Sequence, residues 1–142
     1  MSEVTDQVIE KPAAVPFVWG TGRRKSSVAR IRIRPGTGVI QVNGKDIKDY
    51  FPTAAQIRTI LTPLKATNTL NRYDIYCNAS GGGFSGQAGA MLLGIARALA
   101  KSDASLEAKL RSEHLMHRDP REKERKKPGK KGARASFQFS KR

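Results

Sequence analysis

The chain has few of the residues from which active sites are made. Of its 142 residues one is cysteine and two are histidine. A lone Cys77 excludes an intrachain disulfide and a cysteine-based zinc site, and its apolar neighbours mark it as a buried, inert thiol. His114 and His117 stand three apart with no third or fourth ligand near, so no metal site is expected. No Ser/His/Asp or Cys/His set offers itself, so neither catalysis nor a cofactor is indicated. No stretch approaches 18 consecutive apolar residues, which leaves no candidate membrane span. The opening MSEVTDQVIEKPAAVP lacks a basic segment followed by an apolar run, so no secretory leader is expected. These absences point to a soluble cytoplasmic protein in a reducing compartment, with no membrane contact.

Acid is scarce as well, and unevenly so. The chain holds 27 Lys and Arg against 12 Asp and Glu, a formal charge of +15. Arg125 to Arg142 contains eight cations and no acid, and Arg23 to Arg34 contains six with none. Those two segments account for 14 of the 15 charges and leave the other 112 residues nearly balanced. A charge serving solubility would be spread out; this one is concentrated and calls for a polyanion.

The length allows one domain with a modest core. Residues 1–16 carry three acids, one base and two prolines, and are expected to form a disordered acidic extension. Residues 17–116 are expected to be globular and 117–142 to be an extended basic tail. Val28 to Arg34 alternates with period two, as a half-buried strand does, with Ala29, Ile31 and Ile33 facing the core and Arg30, Arg32 and Arg34 opposite. Pro35-Gly-Thr-Gly38 turns into a short strand over Val39–Val42, which Asn43-Gly44 closes. A helix is predicted from Thr53, where Thr53 and Gln56 have capping-box spacing. Ile57, Ile60, Leu61 and Leu64 form its stripe, and Pro63 should end it. Tyr73–Cys77 reads as a strand. Ser85–Lys101 reads as a helix with Ala88, Leu92, Ile95, Ala96 and Leu99 on one side, and a last helix is expected over Ser105–Met116. There is no internal repeat. Strands, helix, strand and helix in this order predict an α+β fold with helices on one face of a sheet.

On the strand, Arg30, Arg32 and Arg34 recur about 6.6–6.8 Å apart, close to the spacing of successive phosphates along a nucleic-acid strand. Arg23, Arg24 and Lys25 should extend that face. A solvated edge strand that discourages pairing is the alternative. Three like charges with no carboxylate opposite repel one another, however, and favour contact with a polyanion. In the tail, Arg118, Arg121, Arg125, Lys126, Lys127, Lys130, Lys131 and Arg134 supply phosphate contacts, and Phe137 and Phe139 can stack on bases or pin the tail into a cleft. At no more than ~3.3–3.6 Å per residue, its last eighteen residues reach about 60 Å. Alone in water such a segment should stay open, although a solubility tail or a localisation signal would share its composition.

Gly81 to Gly86 (GGGFSG) fits the G-x-G-x-x-G spacing of dinucleotide-binding turns, after a strand and before a helix. No later strand can carry the ribose-binding acid, which argues against that reading. Gly81, Gly82 and Gly83 instead permit a tight turn, and Gly86 and Gly89 let the helix lie close to the sheet. Whether the exposed amides of the turn also hold a phosphate stays open.

Taken together, several blocks resemble the bacterial form of the small-subunit ribosomal protein nine family. They are Gly20-Thr-Gly-Arg-Arg-Lys-Ser-Ser-Val-Ala-Arg30, Pro35-Gly-Thr-Gly38, Val42-Asn-Gly44, Asp49-Tyr-Phe-Pro52, Gly81-Gly-Gly-Phe-Ser-Gly-Gln-Ala-Gly-Ala90 and the closing Phe137-Gln-Phe-Ser-Lys-Arg142. The resemblance implies a four-stranded sheet backed by helices, similar to the second domain of ribosomal protein five, with a left-handed β-α-β crossover. It implies a place in the head of the small subunit, on ribosomal RNA and beside neighbouring head proteins. It also implies that Lys141 and Arg142 meet the anticodon stem-loop of peptidyl-site transfer RNA. Two departures stand out. Gly132, Ala135 and Ser136 thin a run that is usually denser in cations, and Glu113 to His117 replaces a segment that commonly contains glycine. The function expected is that of a structural RNA-binding constituent of the ribosome. The rivals are a free basic RNA- or DNA-coating protein and a nucleotide-dependent enzyme built on Gly81–Gly86.

Overall fold

Hydrophobic alternation and glycine placement together build one sheet with a helical cover. The computed structural model describes residues 16–140, so the acidic leader expected over 1–16 lies outside the described residues except for Pro16. In chain order the elements are β1 (Val18–Arg24), β2 (Ser27–Pro35), β3 (Ile40–Val42), β4 (Lys45–Asp46), α1 (Ile47–Tyr50), α2 (Ala54–Ala66), β5 (Tyr73–Ser80), α3 (Phe84–Ser102), a 3₁₀ turn (Ala104–Leu106) and α4 (Glu107–Ser112). The sheet order is β1-β2-β5-β3-β4. β2 pairs antiparallel with β1 and with β5, while β3 runs parallel to β5.

The α+β class is as expected, but the sheet has five strands rather than four. Asn43 and Gly44 have φ of +51° and +81°, the left-handed pair that a two-residue hairpin demands. The chain therefore does not merely stop at β3 but returns as β4, with Val42 opposite Lys45. β1 was hidden in the sequence because two of its inward positions, Gly20 and Gly22, have no side chain to complete an alternating pattern. Glycine at those places is a packing requirement. A Cβ on Gly20 would stand 2.7 Å from the amide of Ala98, and one on Gly22 would collide with the carbonyl of Ala90. A Cβ on Gly94 of α3 would stand 2.6 Å from Ile31 in return. α3 thus lies backbone to backbone on β1. Of the two glycines expected to allow this approach, Gly86 does face Ser27 of β2, whereas Gly89 makes room for the Arg24 side chain.

The inner face of the sheet carries Ala29, Ile31, Ile33, Ile40, Val42, Ile75, Cys77 and Ala79, all buried. Against them pack Met91, Ile95 and Leu99 of α3, Ile60 and Leu64 of α2, and Phe51 and Leu110. Each large apolar side chain so buried contributes about 1.5–3 kcal/mol. α3 is enclosed on more sides than one stripe suggests: Ala90, Met91, Leu93 and Ala98 are buried as well.

Two predicted helix ends shift, and one predicted cap is absent. Thr53 does precede α2, but its side chain makes no capping bond, and the Gln56 carbonyl oxygen is unpartnered; the capping box is not formed. Pro63 sits inside α2 instead of ending it. It removes one helix hydrogen bond, but Ile60 and Leu64 on either side are fully buried and hold the turn. The helix closes at Thr67, whose amide and hydroxyl both donate to the Pro63 carbonyl. The last helix ends at Ser112, short of Met116, because His114 adopts φ +57°. That left-handed residue returns the chain so that the Leu115 amide bonds the Leu110 carbonyl at 3.0 Å and its side chain enters the core. Among the described residues no helix is long and apolar enough to cross a membrane.

Substituting Gly22→Ala should lower stability by about 1–3 kcal/mol or more, because neither backbone can yield. Gly132→Ala, where the nearest neighbour would be 3.9 Å away, should stay within about 0.5 kcal/mol of the parent. Urea unfolding of both variants checks the contrast.

Candidate nucleic-acid interface

The period-two alternation that buries Ile31 and Ile33 places Arg30, Arg32 and Arg34 on the outer face of β2. β2 is not an edge strand; β1 and β5 flank it. The register sets Arg30 between Thr21 and Asn78, Arg32 between Trp19 and Tyr76, and Arg34 opposite Asp74. The expectation that no carboxylate faces these arginines therefore holds for Arg30 and Arg32 and fails for Arg34, whose Nε lies 4.0 Å from Asp74. Asp74 serves mainly as an acceptor. Its Oδ1 takes the amides of Thr37, Gly38 and Val39 at 3.0–3.2 Å. Burial raises its pKa, but those amides and Arg34 outweigh this and hold the carboxyl below its usual value.

Aromatic rings separate the guanidinium groups. The Arg32 guanidinium carbon lies 5.0 Å from the Phe17 ring centre and 5.3 Å from that of Tyr76, and Arg34 lies 5.3 and 5.7 Å from the same rings. Phe17 and Tyr76 meet edge to face at 5.9 Å. Delocalised cations held over ring faces tolerate proximity that bare charges would not. Trp19, on the same face, is 51% exposed. Phe17, Trp19 and Tyr76 were not singled out in the sequence; the i, i+2 spacing of Phe17 and Trp19 was the available signal.

Arg23 extends the outer face, but Arg24 does not. One residue further along β1, it turns inward against Gly89, and its Nε lies 3.6 Å from Asp119. Lys25 sits in the β1–β2 turn at φ +52°. The glycine turn is close by. Gly81 and Gly82 both have positive φ, and a Cβ on Gly81 would stand 2.6 Å from the Ser26 carbonyl. The Gly81 carbonyl accepts from the Ser27 hydroxyl and the Gln87 side chain. Gly83 precedes α3 without a side-chain cap, and Lys25, Ser26, Gly83 and Ser85 line one shallow cavity there.

The basic segment beyond α4 is not open throughout. Arg118 donates to the Lys25 carbonyl, and Asp119 binds Arg121 at 2.8 Å. Hydrogen bonds from Arg121, with Arg24 adding its charge, hold the Asp119 carboxyl far below the usual range. Glu124 accepts from Lys127 and from Arg134, which depresses its pKa too. A bridge between Lys130 and Ser136 and the bond from the Lys131 amide to the Ala135 carbonyl close this loop. A charge count that starts at Arg125 omits Glu124, the residue that gathers it. Arg125, Lys126, Lys130 and Lys131 form no ion pair among the described residues, and Phe137 and Phe139 are 62% and 87% exposed. Lys141 and Arg142 lie outside the described residues.

Comparison with known proteins places the chain in a family. Residues 22–142 match the family described as ribosomal protein S9/S16. Two curated relatives, both "Small ribosomal subunit protein uS9", come from two strains of Treponema pallidum, one of them Nichols. Each is 56% identical over 123 residues, covering 87% of this chain and 95% of the relative.

Asp74→Asn should destabilise the protein at neutral pH by about 1–3 kcal/mol, the usual worth of hydrogen bonds to a charged acceptor. A carboxyl depressed in the folded state stabilises above its unfolded pKa, near 3.8, and loses that contribution as pH falls through the folded value. The gap between parent and variant should therefore close in urea titrations below about pH 3.8.

Proposed function

The chain belongs to the ribosomal protein S9/S16 family, and from that premise we propose how it holds RNA. Like its family, it is a structural, non-enzymatic constituent of the small ribosomal subunit in the cytoplasm, where ribosomal RNA and ribosomal proteins are its partners. The outer sheet face docks on ribosomal RNA through Arg23, Arg30, Arg32 and Arg34, with Lys25 at its end. The observation that carries this reading is the row Thr21–Arg30–Asn78, in which neither cross-strand partner of an exposed arginine is a carboxylate. Such contacts position the protein rather than read sequence. The turn at Gly81–Gly83, beside Lys25, offers amides for one further phosphate.

The basic segment then continues along RNA. Arg118, Arg121, Arg125, Lys126, Lys127, Lys130, Lys131 and Arg134 neutralise phosphates, with Lys127 and Arg134 exchanging Glu124 for them. At its end Lys141 and Arg142 meet the transfer RNA of the peptidyl site, where the Arg142 guanidinium forks onto phosphate. The location in the subunit head, the likeness to the second domain of ribosomal protein five and the left-handed crossover from β3 to β5 belong to the same proposal. They rest on the sequence resemblance.

Charge reversal at Arg30, Arg32 and Arg34 should cut occupancy in assembled subunits severalfold. It should also flatten the salt dependence of RNA binding by about 0.7–0.9 for each phosphate no longer neutralised. Quantifying the protein in salt-washed particles tests this, and normal occupancy would contradict the docking face. Deleting Lys141 and Arg142 should leave assembly intact but speed release of peptidyl-site transfer RNA. Unchanged off-rates from purified truncated subunits would remove that contact.

A further inference from the structure

We infer that the outer sheet face carries a stacking site for an unpaired RNA base, built on Trp19 and flanked by Arg32. This deepens the RNA-docking reading above and rests on it.

A single exposed apolar side chain is ordinary, but the setting of Trp19 is not. Its neighbours across the sheet are Arg32 and then Tyr76, in one row of three strands. With strands about 4.7–4.9 Å apart, that row spans about 10 Å, the width of a base and its sugar. Arg32 lies against both the Phe17 and the Tyr76 rings, and those two rings brace each other edge to face. Trp19 enters none of the ring–ring or cation–ring contacts among the described residues, so its indole is the free aromatic surface of the row. Arg30 and Arg34 lie diagonal to it, about 7–8 Å away by strand geometry. Guanidinium groups therefore stand where the phosphates on either side of a stacked nucleotide would pass.

Paired bases hide their faces in the duplex, so the ligand must be single-stranded: a loop, a bulge or an end. A protein neighbour would need acids to match this face. The one carboxylate among its cross-strand partners, Asp74, is already committed to three amides and Arg34. RNA brings the complementary charge and the flat surface together.

Trp19 is the sole tryptophan, so its emission reports on this face and no other. The full chain is titrated with a single-stranded oligoadenylate and with an RNA duplex of equal length, at roughly 0.5 M salt to suppress the phosphate contribution. The single strand should quench Trp19 and the duplex should not. Trp19→Ala should weaken single-strand binding about 5- to 150-fold and leave duplex binding unchanged at lower salt, while Trp19→Phe keeps most of the affinity. Circular dichroism establishes that both variants fold. Equal quenching by the two RNAs, or unchanged single-strand affinity in Trp19→Ala, overturns the stacking site and leaves phosphate docking standing. Failure to bind either RNA at low salt overturns both. Crosslinks from this face to protein instead of RNA in intact subunits also overturn the stacking site.

Discussion

The contact on which the molecule depends is between two backbones. α3 lies on β1 with no side chain between Gly20, Gly22 and Gly94, so its remaining apolar residues reach β2 and the helices beyond. Had β1 carried side chains at those inward positions, α3 would have been lifted and Ile31 and Ile33 left partly uncovered. Close approach makes a thin domain with a dry inner face, and a dry inner face forces every cation of β2 to the other side. The arginine face is thus a consequence of how tightly the opposite face is sealed. An unpaired guanidinium among Ile31, Ile75 and Met91 would cost far more than the sheet gains from one more strand residue.

Acid is scarce, and three carboxylates do most of its local work. Asp74 gathers the amides of Thr37 to Val39 and steadies Arg34. Asp119 joins Arg121 to Arg24 and so ties the start of the basic segment to β1. Glu124 draws Lys127 and Arg134 together. Asp119 and Glu124 do not neutralise the segment they serve, since each faces two cations, whereas Asp74 faces Arg34 alone. Each fixes the geometry of the cations around it; the exposed pairs of Asp119 and Glu124 stabilise the fold little, and the worth of Asp74 lies in its three amide bonds. Their effect is to present charge in a set arrangement.

Most of what could be read from the sequence came from side chains that repeat. β2 and α3 announced themselves because Ala29, Ile31 and Ile33, or Ile95 and Leu99, recur at the period of their element. Asn43-Gly44 signalled a turn because few other residues take left-handed φ so readily. What stayed hidden depended on partners distant in the chain. β1 is a strand because α3 requires its glycines. Pro63 stays helical because Ile60 and Leu64 are fixed by the core. His114 takes a left-handed φ because Leu115 must return to Leu110. Arg24 separates from Arg23 because a strand sends neighbours to opposite faces, a rule that could not be applied while β1 was unseen. The cations of the interface were legible as a set, whereas the aromatic rings between them were not, since cross-strand register brings Phe17, Arg32 and Tyr76 together.

In the proposed docking, the sheet face and the basic segment would hold RNA on different terms. Arg32 and Arg34 are already seated against Phe17 and Tyr76, so docking them would cost little further side-chain entropy, and the contact would set position. The segment past Arg118 has few apolar anchors, and each residue it orders costs about 1–2 kcal/mol of backbone entropy. Its affinity for RNA would therefore come from counterion release, which is long-ranged and falls with salt. The Glu124 loop would moderate that cost, because its internal bonds hold Lys127 to Ala135 together without RNA. A segment without Glu124 would carry one more net charge and still bind less well for each cation, having more freedom to lose. Thinning of the run at Gly132, Ala135 and Ser136 then has a physical counterpart: Ala135 and Ser136 supply the backbone partners of Lys131 and Lys130 that close the loop.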